Sequence, residues 1–181
     1  MKKINIYALI MTFLFVSCSK DDDPAPVNEE EVITTLTVTL TPSDASANII
    51  LKTQDLDGDG PNAPNVTVSG NLKAALTYTG TMKFENETET PPENITTEIL
   101  EEADEHQVFY TKGSGLTMSI ASTKNDSKGY PLGTDFNITS LSASSGKLTF
   151  TLKHKPKKPN TGLADAGGDT DIEAIFDIII E

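Results

Sequence analysis

The sequence predicts an all-β domain: an antiparallel β-sandwich of immunoglobulin-like or related topology with seven to nine strands. Two observations favour this fold. Short stretches alternate apolar and polar side chains with a period of two, and clusters of Gly, Pro, Asn, Asp and Ser separate these stretches. Because the alternation extends over residues 32–181, we expect a single folded domain there, with one short helix around residues 94–105.

The first predicted strand shows the pattern most clearly. In residues 33–40, Leu36, Val38 and Leu40 alternate with threonines, as in a strand with one buried face. Similar alternation predicts eight further strands at residues 48–52, 66–69, 76–85, 107–111, 116–122, 136–141, 147–154 and 171–180. Residues 160–169, rich in glycine and aspartate, are predicted to be a long flexible loop.

A different spacing predicts the helix. Ile95, Ile99 and Ala103 recur at steps of four behind Asn94, which can cap a helix N-terminus. The end of this segment is acidic, which is unfavourable beside the negative end of the helix dipole. We therefore expect the helix at the surface, closing one end of the sandwich or crossing between its sheets, with its acids exposed or offset by a cation.

The first 17 residues have the organisation of a secretion signal. Two lysines precede an apolar stretch at residues 4–16, which is shorter than the roughly 20 residues that span a bilayer. Residues 15–18, Phe-Val-Ser-Cys, resemble a lipobox, which implies cleavage before Cys18 and lipidation of its thiol. As the single cysteine of the chain, Cys18 has no intramolecular disulfide partner.

Residues 18–31 are predicted to be an acidic tether between the lipid and the domain. They contain three aspartates, three glutamates and two prolines and are too polar to fold by themselves. Residues 19–23, Ser-Lys-Asp-Asp-Asp, resemble the signal that sends Bacteroidetes lipoproteins to the outer face of the outer membrane; an ordinary polar linker is the alternative. We expect an outer-membrane protein that faces the cell exterior, with the membrane as its partner through Cys18.

Composition excludes several functions. All 14 basic residues are lysine, and 27 acidic residues give a net charge of −13. Nucleic-acid binders cluster Lys and Arg on one surface, so we expect no nucleic-acid partner. The chain contains no Gly-x-Ser-x-Gly motif, no cysteine–histidine pair and no phosphate-binding loop, so we predict that it is not an enzyme.

One group of residues suggests a zinc or copper site. Glu102 and His106 are four residues apart, close enough on a helix to share a metal ion, and His154 is the second histidine of the chain. These three residues form a site only if the fold brings His154 to the other two. Otherwise His106 is an ordinary histidine in an acidic surface stretch.

A second group suggests calcium. Asp55, Asp57 and Asp59 are spaced as in the first half of a calcium-binding loop, with glycines at the turn. Val66 occupies the position where the complete loop has a bidentate glutamate. The sequence therefore leaves open a calcium site completed by other residues or a simple β-turn.

The only basic cluster of the chain is formed by Lys153, Lys155, Lys157 and Lys158. It is either a solvated strand end, in which prolines prevent edge-to-edge pairing, or a docking surface for an acidic partner or a lipopolysaccharide phosphate. Asp169 and Asp171 follow in the next segment and are included among the possible partner-binding residues.

Several of these stretches resemble a family of small uncharacterised Bacteroidetes lipoproteins, some of whose members are named type 1 periplasmic binding fold superfamily protein. The resembling stretches are residues 55–61, 102–107, 154–156 and 166–173. The resemblance extends over most of the chain from residue 32 and implies a lipoprotein without an assigned activity. It also implies that the acidic-histidine and His-Lys-Pro stretches belong to the family's pattern.

The leading interpretation is a non-enzymatic, surface-displayed binding or accessory module, with an outer-membrane uptake receptor as a possible partner. Residues 101–106 and 153–171 are its expected contact regions. The alternatives are a protein that binds a divalent metal ion and a structural, adhesin-like surface domain.

Overall fold

The computed structural model describes residues 31–58 and 60–181, which form two antiparallel β-sheets. The predicted all-β fold is confirmed. The nine strands of the described residues are β1 (Thr35–Pro42), β2 (Ile49–Gln54), β3 (Asn65–Val68), β4 (Thr77–Glu85), β5 (His106–Lys112), β6 (Met118–Ser122), β7 (Asp135–Ser140), β8 (Ser144–His154) and β9 (Asp169–Ile180). Two helices, α1 (Ile95–Glu101) and α2 (Leu163–Ala166), lie in the connections.

The strands divide unequally between the sheets. The larger sheet has the order β3-β2-β1-β4-β7-β6, and the smaller one has the order β5-β8-β9. An immunoglobulin constant domain has four strands facing three, so this six-and-three arrangement belongs to the wider group of sandwiches. The smaller sheet carries both histidines of the chain at one end.

The inward-facing residues of both sheets form one hydrophobic core. Leu36, Val38 and Leu40 of β1 are at most 1% exposed, as their alternation with threonines predicts. Phe136 of the larger sheet lies against Phe150 of the smaller sheet, with ring centroids 5.7 Å apart. Burying each such aromatic or aliphatic side chain stabilises the fold by about 1.5–3 kcal/mol, before the entropy cost of ordering the chain.

Helix α1 is shorter than the predicted helix over residues 94–105. Ile95 and Ile99 are buried as expected, but Asn94 makes no side-chain capping bond to the helix backbone. The helix stops at Glu101 because the chain must reverse within four residues to begin β5 at His106. Part of the predicted loop at residues 160–169 is also ordered, as helix α2.

Candidate metal centre

The pairing of β5 with β8 brings the two histidines together. His106 and His154 are directly opposite each other across the antiparallel pair. Their rings stack with centroids 4.7 Å apart and an interplanar angle of 11°. Both side chains are buried, His106 completely and His154 with 5% of its surface exposed. The condition that the sequence left open, the proximity of His154 to His106, is therefore met.

Two glutamates complete a cluster of potential metal ligands. Oε1 of Glu31 lies 3.1 Å from Nε2 of His106, and its other oxygen lies 4.0 Å from Nδ1 of His154. Glu102, at the end of α1, is the fourth member. One ligand atom from each of these four residues lies within 4.8 Å of every other one.

Glu31 is the member that the sequence assigned elsewhere. Because it belongs to an acidic stretch, Glu31 was predicted to be part of the tether of residues 18–31. Its side chain is only 4% exposed, however, and packs against both histidines. The folded part of the chain therefore includes Glu31. Cys18 and residues 19–30 of the predicted tether lie outside the described residues.

The hydrogen bonding of His106 determines which ring nitrogen is available. Nδ1 lies 3.2 Å from the backbone carbonyl oxygen of Glu102. Because a carbonyl oxygen only accepts, we assign the proton of the neutral ring to Nδ1, which leaves a lone pair on Nε2. This is the usual state of a metal-binding histidine, whose second nitrogen donates to a carbonyl or carboxylate.

Asp171 of β9 adds a further carboxylate beside the cluster. Its Oδ2 atom lies 3.9 Å from Nε2 of His106, and its side chain is 4% exposed. Burial, and then the negative charge of Glu31, raise the pKa of Asp171 to about 7. Burial has the opposite effect on the pKa of a base: it lowers the pKa of His106, which favours the neutral imidazole. Asp171 also lines a cleft of about 560 Å³, together with residues 55–58.

The cluster contains an unusual concentration of buried polar atoms without hydrogen bonds. Of the five such side-chain atoms in the described part of the chain, four belong to Glu31, His106, His154 and Asp171. A buried polar atom without a partner costs about 1–3 kcal/mol. Four of them at one place could be satisfied together by one bound ion or by ordered water.

The spacing shows how the cluster would have to change around an ion. Zinc bonds of about 2.0–2.2 Å place tetrahedral ligand atoms about 3.4 Å apart. Since the present atoms spread over as much as 4.8 Å, the site must contract on binding. Glu102 is the exposed member and can move with the least disturbance to the core.

The carboxylates of the suggested calcium loop bond within their own turn. Asp55 accepts a hydrogen bond from the backbone N–H of Asp57, and Asp57 accepts one from the side chain of Asn62 at 2.7 Å. This bond is the main cause of the lowered pKa of Asp57. Asp59 lies outside the described residues, so the calcium site stays a prediction.

The four lysines of the basic cluster differ in exposure. Lys153 donates to Thr170, and Lys155 lies 3.7 Å from a carboxylate oxygen of Glu105. Lys157 is exposed, whereas the Lys158 side chain is 6% exposed and pairs with Asp126 at 3.0 Å. Lys158 is thus not available to a docking surface.

The two aspartates that were predicted to bind a partner also differ in exposure. Asp169 is exposed at the start of β9. Asp171 faces the histidines instead of solvent. It was predicted to contact a partner, and its position against His106 makes it part of the candidate metal centre.

Comparison with family models, with curated proteins and with solved structures finds no match to this chain. Within the described residues, no helix is long and apolar enough to cross a membrane. The function is therefore inferred from the geometry of the cluster and from the sequence.

The buried pair of Asp126 and Lys158 makes the domain sensitive to acid. Burial raises the pKa of Asp126, but hydrogen bonds from Lys158 and from the Tyr130 N–H outweigh it and hold the pKa below its usual range. As the pH falls, the unfolded chain therefore binds this proton before the folded one does. The contribution of Asp126 to stability is complete above about pH 5 and is lost at lower pH.

We expect Asp126→Asn to lower the free energy of unfolding by roughly 3 kcal/mol at neutral pH, because it leaves the buried Lys158 charge unpaired. Between about pH 5 and pH 3, urea unfolding should show a shallower loss of stability in this variant than in the wild type. Asp177→Asn is the control, since the Asp177 side chain is 83% exposed. Equal slopes for Asp126→Asn and the wild type would contradict the assignment.

Proposed function

We propose that this protein binds a divalent transition metal ion, zinc or copper, through Glu31, Glu102, His106 and His154. One observation carries the proposal: Nε2 of His106 and a carboxylate oxygen of Glu31 lie 3.1 Å apart in the interior. Both atoms are hydrogen-bond acceptors, so their approach is favourable only when a proton or a metal ion lies between them.

The properties of the cluster favour a metal ion over a proton. Burial lowers the pKa of His106, so the imidazole is a poor site for the proton. The proton on Nδ1 is already directed at the Glu102 carbonyl, which leaves Nε2 to act as a ligand. Asp171, whose pKa burial raises to about 7, adds a second buried carboxyl group beside His106, and a dication would stabilise its ionised form.

The donor atoms favour zinc and copper over calcium or magnesium. Two imidazoles with carboxylates are common ligands of zinc and copper, whereas calcium and magnesium select sites made of oxygen atoms. At equal availability, copper(II) binds such sites more tightly than zinc. Which of the two ions the protein holds in the cell depends on their supply as well as on this preference.

The metal centre belongs, in this proposal, to a lipid-anchored protein on the outside of the outer membrane. The support is the sequence before the described residues: an apolar signal, the lipobox-like residues 15–18 and an acidic segment after Cys18. A metal-binding domain held there would act as an accessory module that collects metal ions beside an uptake receptor. The half-buried Lys153 near the end of β8 and the exposed Lys155 and Lys157 just after it are the suggested contacts with an acidic receptor surface.

Isothermal titration of residues 19–181, the predicted mature chain without its lipidated cysteine, tests the metal centre. We expect one zinc or copper ion to bind per chain and calcium to give no heat at this site. Glu102→Gln should weaken zinc binding by about 10- to 100-fold, because it removes an anionic ligand that lies on the surface and contributes little to folding.

Glu101→Gln is the matched control, since Glu101 is exposed, lies next to Glu102 and is outside the cluster. Its zinc affinity should equal that of the wild type. Absence of zinc and copper binding by the wild type, or equal losses in the two variants, would refute the proposal.

Replacing the lipidated residue tests the location. We expect full-length Cys18→Ala to lose incorporation of labelled fatty acid and to leave the membrane fraction, because the thiol is the proposed site of lipid attachment. Ser19→Ala, one residue further along, should stay lipidated and membrane-bound. A Cys18→Ala protein that still carries fatty acid would disprove the anchor.

A further inference from the structure

Lys158 is a buried lysine whose three ammonium hydrogens all have acceptors. Its Nζ atom lies 2.6 Å from the carbonyl oxygen of His106, 2.8 Å from that of Ala103 and 3.0 Å from Oδ2 of Asp126. The side chain is 6% exposed, and that of Asp126 is 0% exposed. A lysine in this environment is held in one position, unlike the mobile lysines of a surface cluster.

Two of these acceptors belong to the turn that carries the metal ligands. The turn runs from Glu102 to His106, and the backbone N–H of Glu105 closes it on the carbonyl of Glu102 at 2.8 Å. The same carbonyl faces Nδ1 of His106. The Glu102 carbonyl thus fixes the turn from one side, while Lys158 binds the carbonyls of Ala103 and His106.

The third acceptor connects the turn to a separate part of the fold. Asp126 lies in the connection between β6 and β7, where its Oδ1 atom accepts backbone hydrogen bonds from Lys128 at 3.0 Å and Tyr130 at 2.8 Å. Because Asp126 is held by its own loop, it gives Lys158 a fixed anchor. Together with the bonds that Ser127 donates to Asp104 and that the Lys155 N–H donates to the Glu105 carbonyl, this contact holds the turn from outside α1 and β5.

We propose that Lys158 is a positioning residue of the metal centre, which holds the backbone between Glu102 and His106 so that both side chains face the same ion. This inference rests on the proposed function. Lys158 acts through the carbonyl oxygens of Ala103 and His106, because a protonated amine has no lone pair for a metal. Its loss leaves all four ligands in the chain but loosens the spacing of two of them, and affinity for a metal depends on that spacing.

The experiment separates positioning from stability with a pair of variants. Lys158→Met removes the ammonium but leaves the Asp126 carboxylate buried without a counter-ion, so this variant is expected to be less stable. Lys158→Met combined with Asp126→Asn removes both charges, and the asparagine oxygen can still accept the bonds from Lys128 and Tyr130. Stability should recover in the double variant, whereas the two carbonyls stay without their donor.

Zinc affinity by titration and the visible absorption of bound cobalt(II) are measured at a temperature at which each metal-free variant is fully folded. We expect about 10- to 100-fold weaker zinc binding, and an altered cobalt spectrum, in both Lys158→Met and the double variant. Lys157→Met is the matched control from the same cluster: Lys157 is exposed, and its variant should bind zinc with wild-type affinity.

The outcomes distinguish the two proposals. Wild-type zinc affinity and an unchanged cobalt spectrum in the folded double variant would overturn the positioning role and leave the metal centre intact. Failure of the wild type to bind zinc, copper or cobalt would overturn the metal centre and the positioning role together. Weaker binding in the double variant, with normal binding by Lys157→Met, would support the positioning role.

Discussion

The candidate site depends on the register of one strand pair, β5 with β8. His106 faces His154 because Val108 is paired with Leu152 and Tyr110 with Phe150 further along the same two strands. Val108, Leu152 and Phe150 belong to the hydrophobic core, so a shift of one residue would turn apolar side chains towards water. The packing of the sandwich thus fixes the two imidazoles against each other at the end of the smaller sheet.

That arrangement is electrostatically unfavourable without a ligand. Two carboxyl groups, those of Glu31 and Asp171, are nearly buried beside the imidazoles of His106 and His154. Each of these four side chains has a polar atom without a hydrogen bond. Burying such groups without hydrogen bonds costs free energy, whereas burying apolar side chains does not. A bound dication would offset the negative charge and satisfy the free lone pairs, so its binding would stabilise the folded state. Under the proposed function, folding and metal binding would be linked through the same few atoms.

Much of the fold could be predicted because alternation is a local property. The threonine-rich β1 and the other strands follow from a period of two, and the helix from steps of four, although its end at Glu101 is set by the reversal into β5. The site was only partly predictable. Glu102 and His106 are neighbours along the chain, but the position of His154 depends on strand order, and Glu31 looks like any other acid of an acidic segment. Asp171 and Lys158 were predicted as partner contacts, because only the tertiary structure shows that their side chains are buried.

The most direct test of the metal centre is the X-ray absorption spectrum of the zinc-loaded protein. The geometry predicts two imidazole nitrogens at about 2.0–2.1 Å, visible through the outer-shell scattering of their rings, together with carboxylate oxygens at about 2.0–2.2 Å. A spectrum with oxygen ligands alone, or with a single imidazole, would contradict a site shared by His106 and His154.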